Sequence, residues 1–157
     1  MIETDRLILR AWHKDDLLPF SKMNSDKVVM EYLPKCLSYD ETMQFYNRIV
    51  DEHNALGYGL YAVVLKSTGE FIGYTGFHNF DFEAEFSPGI EIGWRLAKEY
   101  WNRGYATEAA RTCIDYACSR KLFDKIYSFT SVSNHRSERV MQKIGMEHQG
   151  FFLHPSL

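Results

Sequence analysis

The chain has 157 residues, of which 45% are apolar and 25% charged, and a formal charge of −3. That balance is ordinary for a globular protein, and the length is enough to bury a core unaided. The negative charge gives no electrostatic drive toward nucleic acid or an anionic membrane surface, so neither is expected as a partner.

From the N-terminus, Arg6–Trp12 is predicted as a first strand on its aliphatic run. Asp15 and Asp16 sit where acids favour a helix start, and Leu17, Leu18, Phe20 and Met23 supply its apolar face. Ser38 and Glu41 have capping-box spacing, and Met43, Phe45, Tyr46, Ile49 and Val50 continue a second helix toward Gly57 and Gly59. Tyr58–Leu65 and Phe71–Phe77 read as an antiparallel hairpin around the turn Lys66–Gly69. A loop with Asp81, Glu83, Glu85 and Pro88 then leads into a strand over Ile90–Leu96. A helix over Gly104–Arg120, a strand over Lys125–Val132, a helix over Asn134–Ile144 and a closing strand over Met146–Phe152 complete the series. This order predicts an α+β fold, a mixed sheet with helices on both sides, in a single domain spanning 1–157.

Cys36, Cys113 and Cys118 are odd in number and show no C-x-x-C pair, which favours free thiols in a reducing compartment. The polar N-terminus does not resemble a signal peptide, and no apolar run has the length of a membrane span. A cytoplasmic protein is expected. His53, His78, His135, His148 and His154 lack metal-ligand spacing, so no metal is expected.

The most informative stretch runs from Leu96 to Ala110. A strand gives way to a turn carrying Arg103 and Gly104, and an alanine-rich helix follows at once. Small residues at Ala106, Ala109, Ala110, Cys113 and Ala117 would let that helix lie close to a sheet. Good packing alone does not account for the Arg-Gly pair beside a strand end. The free N–H groups from Gly104 to Thr107 would cradle a pyrophosphate. Neither a P-loop lysine nor a G-x-G-x-x-G fingerprint is present.

Leu96, Trp101, Gly104 and Ala106 resemble motif A of the GNAT acyltransferases: an aliphatic residue, four others, Gln or Arg, two others, Gly, one other, Gly or Ala. Trp101 departs from the usual Gln or Arg. Asn134 through Gly145 and Met146 resemble motif B, where an Asn opens a helix that ends in Gly and a bulky apolar residue. The opening Glu3–Arg10, with Glu91–Leu96 and Gly104–Ala109, resembles the RimJ/RimL type most. The resemblance implies the GNAT fold, a mostly antiparallel twisted sheet flanked by helices.

It also implies chemistry. Acetyl-CoA would be the donor and a primary amine the acceptor, joined by direct transfer in a ternary complex with no metal. Trp94, Leu96, Trp101, Asn102, Arg103, Gly104, Tyr105, Ala106, Thr107 and Asn134 would bind the cofactor, with a backbone N–H near Trp94 facing the oxyanion. Gly93 would be a bulge residue that helps two strands splay. Many GNAT proteins carry a Tyr proton donor at the place that Met141 fills here, and Ser137 is the RimJ/RimL-like substitute. Glu91 is the leading general base, with His78 and Glu108 behind it. Trp12, Tyr32, Tyr39 and Phe80 are candidates for an acceptor pocket.

The acceptor would be a protein N-terminus or a small-molecule amine, and a homodimer is compatible with the sequence. The competing reading is a non-catalytic acyl-CoA-binding module. The chain ends at Leu157, where RimJ/RimL-like proteins continue into one more strand, so an incomplete C-terminal hairpin is expected.

Overall fold

A computed structural model describes residues 1–155. Five strands form an antiparallel meander in which sheet order equals chain order: β1 (Ile2–Glu3), β2 (Leu7–Arg10), β3 (Leu60–Leu65), β4 (Phe71–Phe80) and β5 (Gly89–Leu96). Four helices flank it: α1 (Leu17–Ser25), α2 (Tyr39–Leu56), α3 (Tyr105–Ser119) and α4 (His135–Lys143). The α+β expectation and the GNAT-like sheet are borne out.

Strand alternation sends side chains to two faces, and each face has its own core. Leu7, Leu9, Val63, Phe77 and Ile92 pack with Ala109, Ala110 and Cys113 of α3 and Val140 of α4. The small side chains on α3 allow that close approach, and burial pushes the Cys113 thiol up to about 12. On the opposite face Trp12, Leu60, Ala62 and Tyr74 pack with Phe20 and Met23 of α1 and Ile49 of α2. Helix α2 begins at the expected capping box, in which Glu41 N–H donates to Ser38 Oγ at 3.1 Å and Ser38 N–H donates to Glu41 Oε1 at 3.0 Å.

The link from β2 to α1 is held by charge. Asp16, with a side chain 5% exposed, accepts from Arg10 Nη1 at 2.8 Å and Nη2 at 2.9 Å. It also accepts from the His13 N–H at 2.8 Å. Removing one partner of a buried pair strands the other, which costs about 3 kcal/mol. Asp16→Asn is therefore expected to lower Tm by roughly 6–12 °C for a chain of this size, read by thermal melting.

Three expectations need correction. Lys125–Val132 is not a ladder strand: Tyr127 makes one parallel bridge to Glu91. The Ser128 hydroxyl takes the Ile92 carbonyl at 2.9 Å and the Ser131 hydroxyl reaches the Tyr32 carbonyl, so the segment peels away from β5. Met146–Phe152 forms no strand either. It is held by ring contacts, Phe152 lying 5.2 Å from Phe129 and 5.3 Å from Phe86 between centroids, and rings need no ladder. Ser156 and Leu157, the end of the expected incomplete hairpin, lie outside the described residues. Finally, Gly93 is not a bulge, because β4 and β5 pair without interruption from Gly73↔Leu96 to Phe80↔Gly89. The register shift falls between β3 and β4, where Val63↔Gly73 and Val64↔Phe71 leave Ile72 unopposed.

Candidate functional site

A cleft of about 940 Å³ opens where β5 and the 125–132 segment part. Ile92 N–H donates to the Tyr127 carbonyl at 2.7 Å, and Tyr127 N–H donates to the Ile90 carbonyl at 2.8 Å. Beyond Ile92 the two segments share no further backbone bond among the described residues. By the alternation of an antiparallel ladder, the Trp94 N–H lies on this same edge, past the last bond and facing the cleft.

One wall of the cleft is the turn after β5. Gly104 caps α3 at φ 80°, a left-handed conformation that glycine adopts without strain. The first intrahelical bond runs from Glu108 N–H to the Gly104 carbonyl at 3.0 Å. The N–H groups of Gly104, Tyr105, Ala106 and Thr107 thus have no partner within the helix. The turn is braced from behind by the first strands. Arg6 Nη1 donates to the Arg103 carbonyl at 2.9 Å and Arg6 Nε to Glu108 Oε1 at 2.8 Å. Thr4 donates its hydroxyl proton to the other Glu108 oxygen. Burial pushes the Glu108 carboxyl up, but these hydrogen bonds outweigh it and hold it below the usual carboxylate range. Glu108 is a brace and does not line the cleft.

Of the residues the sequence singled out, Trp94, Leu96, Trp101, Asn102, Gly104, Tyr105, Ala106, Thr107, Asn134, Ser137 and Glu91 all line this cleft. Arg103 is exposed at the turn and contributes its carbonyl to the brace instead of lining the cleft. The Trp101 indole N–H donates to the Leu96 carbonyl at 2.9 Å, tying the turn to the strand end. Asn134 caps α4 by accepting from the Ser137 N–H at 3.3 Å, and Ser137 is half-buried in the cleft wall. Gly145, at φ 88°, ends α4 with paired bonds, its own N–H to Gln142 and the Met146 N–H to Met141. Of the four aromatic candidates only Tyr32 lines the cleft; Trp12 is core.

Glu91 and His78 oppose each other across β5 and β4, on the face shared with α1 and α2. Burial pushes the Glu91 carboxyl up, opposed by the charge of His78. His78 Nδ1 lies 3.2 Å from Glu52 Oε2 of α2. Sequence reading missed Glu52, although Phe45, Ile49 and Glu52 share one helical stripe, so an acid interrupts an inward-facing apolar face. It also missed Arg136, Arg139 and Lys143 of α4, which line the cleft at helical spacing. Arg136 stacks its guanidinium 3.7 Å from the centre of the Trp101 ring.

Comparison with known proteins agrees with this geometry. A family model described as an acetyltransferase (GNAT) domain matches residues 6–147. The uncharacterized protein YkkB of Bacillus subtilis (strain 168) is 34% identical over 148 residues, covering 92% of this chain and 84% of its own. The uncharacterized N-acetyltransferase YnaD of the same organism is 30% identical over 151 residues, covering 96% and 85%. A crystal structure of a GNAT-family acetyltransferase from Bacillus anthracis has a TM-score of 0.84 at 29% identity, covering 99% of this chain and 89% of that one. The chain therefore belongs to the GNAT acetyltransferase family and is an acyltransferase.

Proposed function

We propose that the protein transfers the acetyl group of acetyl-CoA directly to a primary amine within a ternary complex. The observation that carries this reading is the coincidence, in one cleft, of a braced helix N-terminus and an unpaired strand edge at Trp94. The N–H groups of Gly104 to Thr107 suit a pyrophosphate, and Arg136, Arg139 and Lys143 on α4 add positive charge beside them. Trp101, Asn102 and Asn134 shape that wall, and Leu96 ends the strand along which the pantetheine arm would run. Arg103, exposed at the turn, would meet the cofactor only from outside the cleft.

Glu91 takes a proton from the acceptor ammonium, with His78 and Glu52 leading from it toward solvent. The amine nitrogen then attacks the thioester carbonyl, and the Trp94 N–H stabilises the oxyanion. As the tetrahedral species collapses, the C–S bond breaks and the thiolate takes a proton from Ser137. The second proton of the attacking nitrogen, lost as the amide forms, restores the Ser137 hydroxyl, while the proton held by Glu91 leaves through His78 and Glu52. The products are an N-acetyl amine, CoA-SH and one proton released to solvent. A carboxylate whose pKa is raised by burial suits the base, because catalytic efficiency rises as the base approaches the working pH. The RimJ/RimL subtype fits the Ser137 substitution, and a protein N-terminus or a small amine fits the open cleft.

Calorimetric titration with CoA, and thiol release from acetyl-CoA with a panel of amines, test the proposal. CoA binding without turnover of any amine would instead support an acyl-CoA-binding module. Ser137→Ala is expected to lower kcat by roughly 10- to 100-fold, the lower part of the range for losing a proton donor, while CoA affinity stays close to that of the parent. An unchanged kcat would remove Ser137 from the mechanism.

A further inference from the structure

The face of β5 that meets α1 and α2 carries Glu91, Gly93 and Arg95 in succession. Residues two apart share a strand face, so the acid and the cation lie about 13 Å apart at their Cα atoms. Between them Gly93 has no side chain, and a Cβ built there meets nothing within 4 Å. The floor between the two charges is therefore open.

Charge is segregated along this floor. At one end Glu91 faces His78, which meets Glu52. At the other end Arg95 donates to Asn24 Oδ1 at 2.8 Å, which fixes its direction without neutralising it. Arg48 of α2 approaches from above, and the two guanidinium carbons lie 5.6 and 5.9 Å from the centre of the same Phe45 ring. Both arginines line the cleft. Among the described residues neither meets a carboxylate. Two cations held around one ring, one of them aimed by an amide, make a receptor for an oxyanion. The buried Tyr74 hydroxyl senses both ends, its pKa pushed up by burial, lowered by Arg95 and raised by Glu91.

Resting on the amine-acceptor reading above, we infer that the natural acceptor is a zwitterion: a primary amine whose far end carries a carboxylate or a phosphate-type group. The ammonium sits at Glu91, the chain crosses Gly93, and the oxyanion docks between Arg48 and Arg95. The floor length favours acceptors with several bonds between nitrogen and anion over α-amino acids.

The test measures kcat/KM by thiol release from acetyl-CoA with length-matched acceptors: butylamine, 1,4-diaminobutane, 4-aminobutanoate and 3-aminopropylphosphonate, then hexylamine and 6-aminohexanoate. At least one anionic acceptor is expected to exceed its matched alkylamine and diamine by roughly 10- to 100-fold, the value of a charge-assisted hydrogen bond. Which of 4-aminobutanoate and 3-aminopropylphosphonate wins separates carboxylate from phosphate-type substrates. Arg48 is exposed on α2, so Arg48→Gln should fold, hold CoA with parental affinity and bring that ratio close to one. Arg48→Glu should invert it in favour of the diamine. Equal or better turnover of the alkylamine or diamine by the parent protein overturns the zwitterion inference alone. Normal CoA binding with no turnover of any acceptor overturns the transferase reading, and this inference falls with it.

Discussion

Glu91→Gln is expected to cut kcat/KM by roughly 10²- to 10⁴-fold, the usual contribution of a positioned general base. The amide has nearly the same shape but cannot take the ammonium proton, so CoA affinity should hold while turnover falls. The parent protein's rate should decline as pH drops through the raised Glu91 pKa, above the ordinary carboxylate range, and the variant should lose that limb. Stability should move the opposite way. A carboxyl whose pKa is higher folded than unfolded binds its proton more tightly in the native state. Its ionisation therefore opposes folding as pH rises through that window. At neutral pH Glu91→Gln should melt above the parent protein, and the gap should close below about pH 4.3, where both states are protonated. Thermal melts at two pH values read the sign. A variant that is both inactive and less stable at neutral pH would mean that Glu91 supports the fold and not the chemistry.

Ala106→Asp is expected to weaken CoA binding by roughly 100-fold, equivalent to losing one or two charge-assisted hydrogen bonds. Ala106 is half-buried beside the core, so the substitution disturbs some packing while placing an acid at the helix start. A carboxylate in the first turn of α3 is favourable with respect to the helix dipole. There it would occupy the N–H groups that the pyrophosphate requires and repel the incoming anion. Calorimetry with CoA together with a thermal melt distinguishes the outcomes: lost affinity in a protein that still melts cooperatively within a few degrees of the parent is expected. Unchanged affinity would place the pyrophosphate somewhere other than this turn.

The turn that opens α3 was legible in the sequence because everything that builds it is local. Gly104 supplies the left-handed cap, the alanines that follow supply the close-packing helix, and Asn134 and Gly145 cap α4 from within one turn. The Ser38–Glu41 box was readable for the same reason. The errors fall where structure is a relation between distant segments. Lys125–Val132 has strand-like composition, but pairing ends after Tyr127, when serine hydroxyls take over from the ladder. Gly93 was expected to bulge, yet a bulge belongs to a pair of strands, and the pair that shifts is β3 and β4. Glu52, Arg48 and the cations of α4 became visible only once helices were laid over the sheet. Their spacing encodes a face, but not what the face looks at.

The brace behind the turn has a consequence for how the protein matures. Glu108 meets Arg6 across 102 residues of intervening chain, and Thr4 across 104. Loop closure over such a span comes late and only after the sheet has brought the segments together. The clamp on the turn would thus be completed late in folding, when residues that precede α3 by about a hundred positions lock onto it. A nascent chain that has α3 but has not yet seated its first strand holds the turn without its clamp. CoA would then act as a selective ligand for finished molecules, drawing the population toward the fully closed state by mass action.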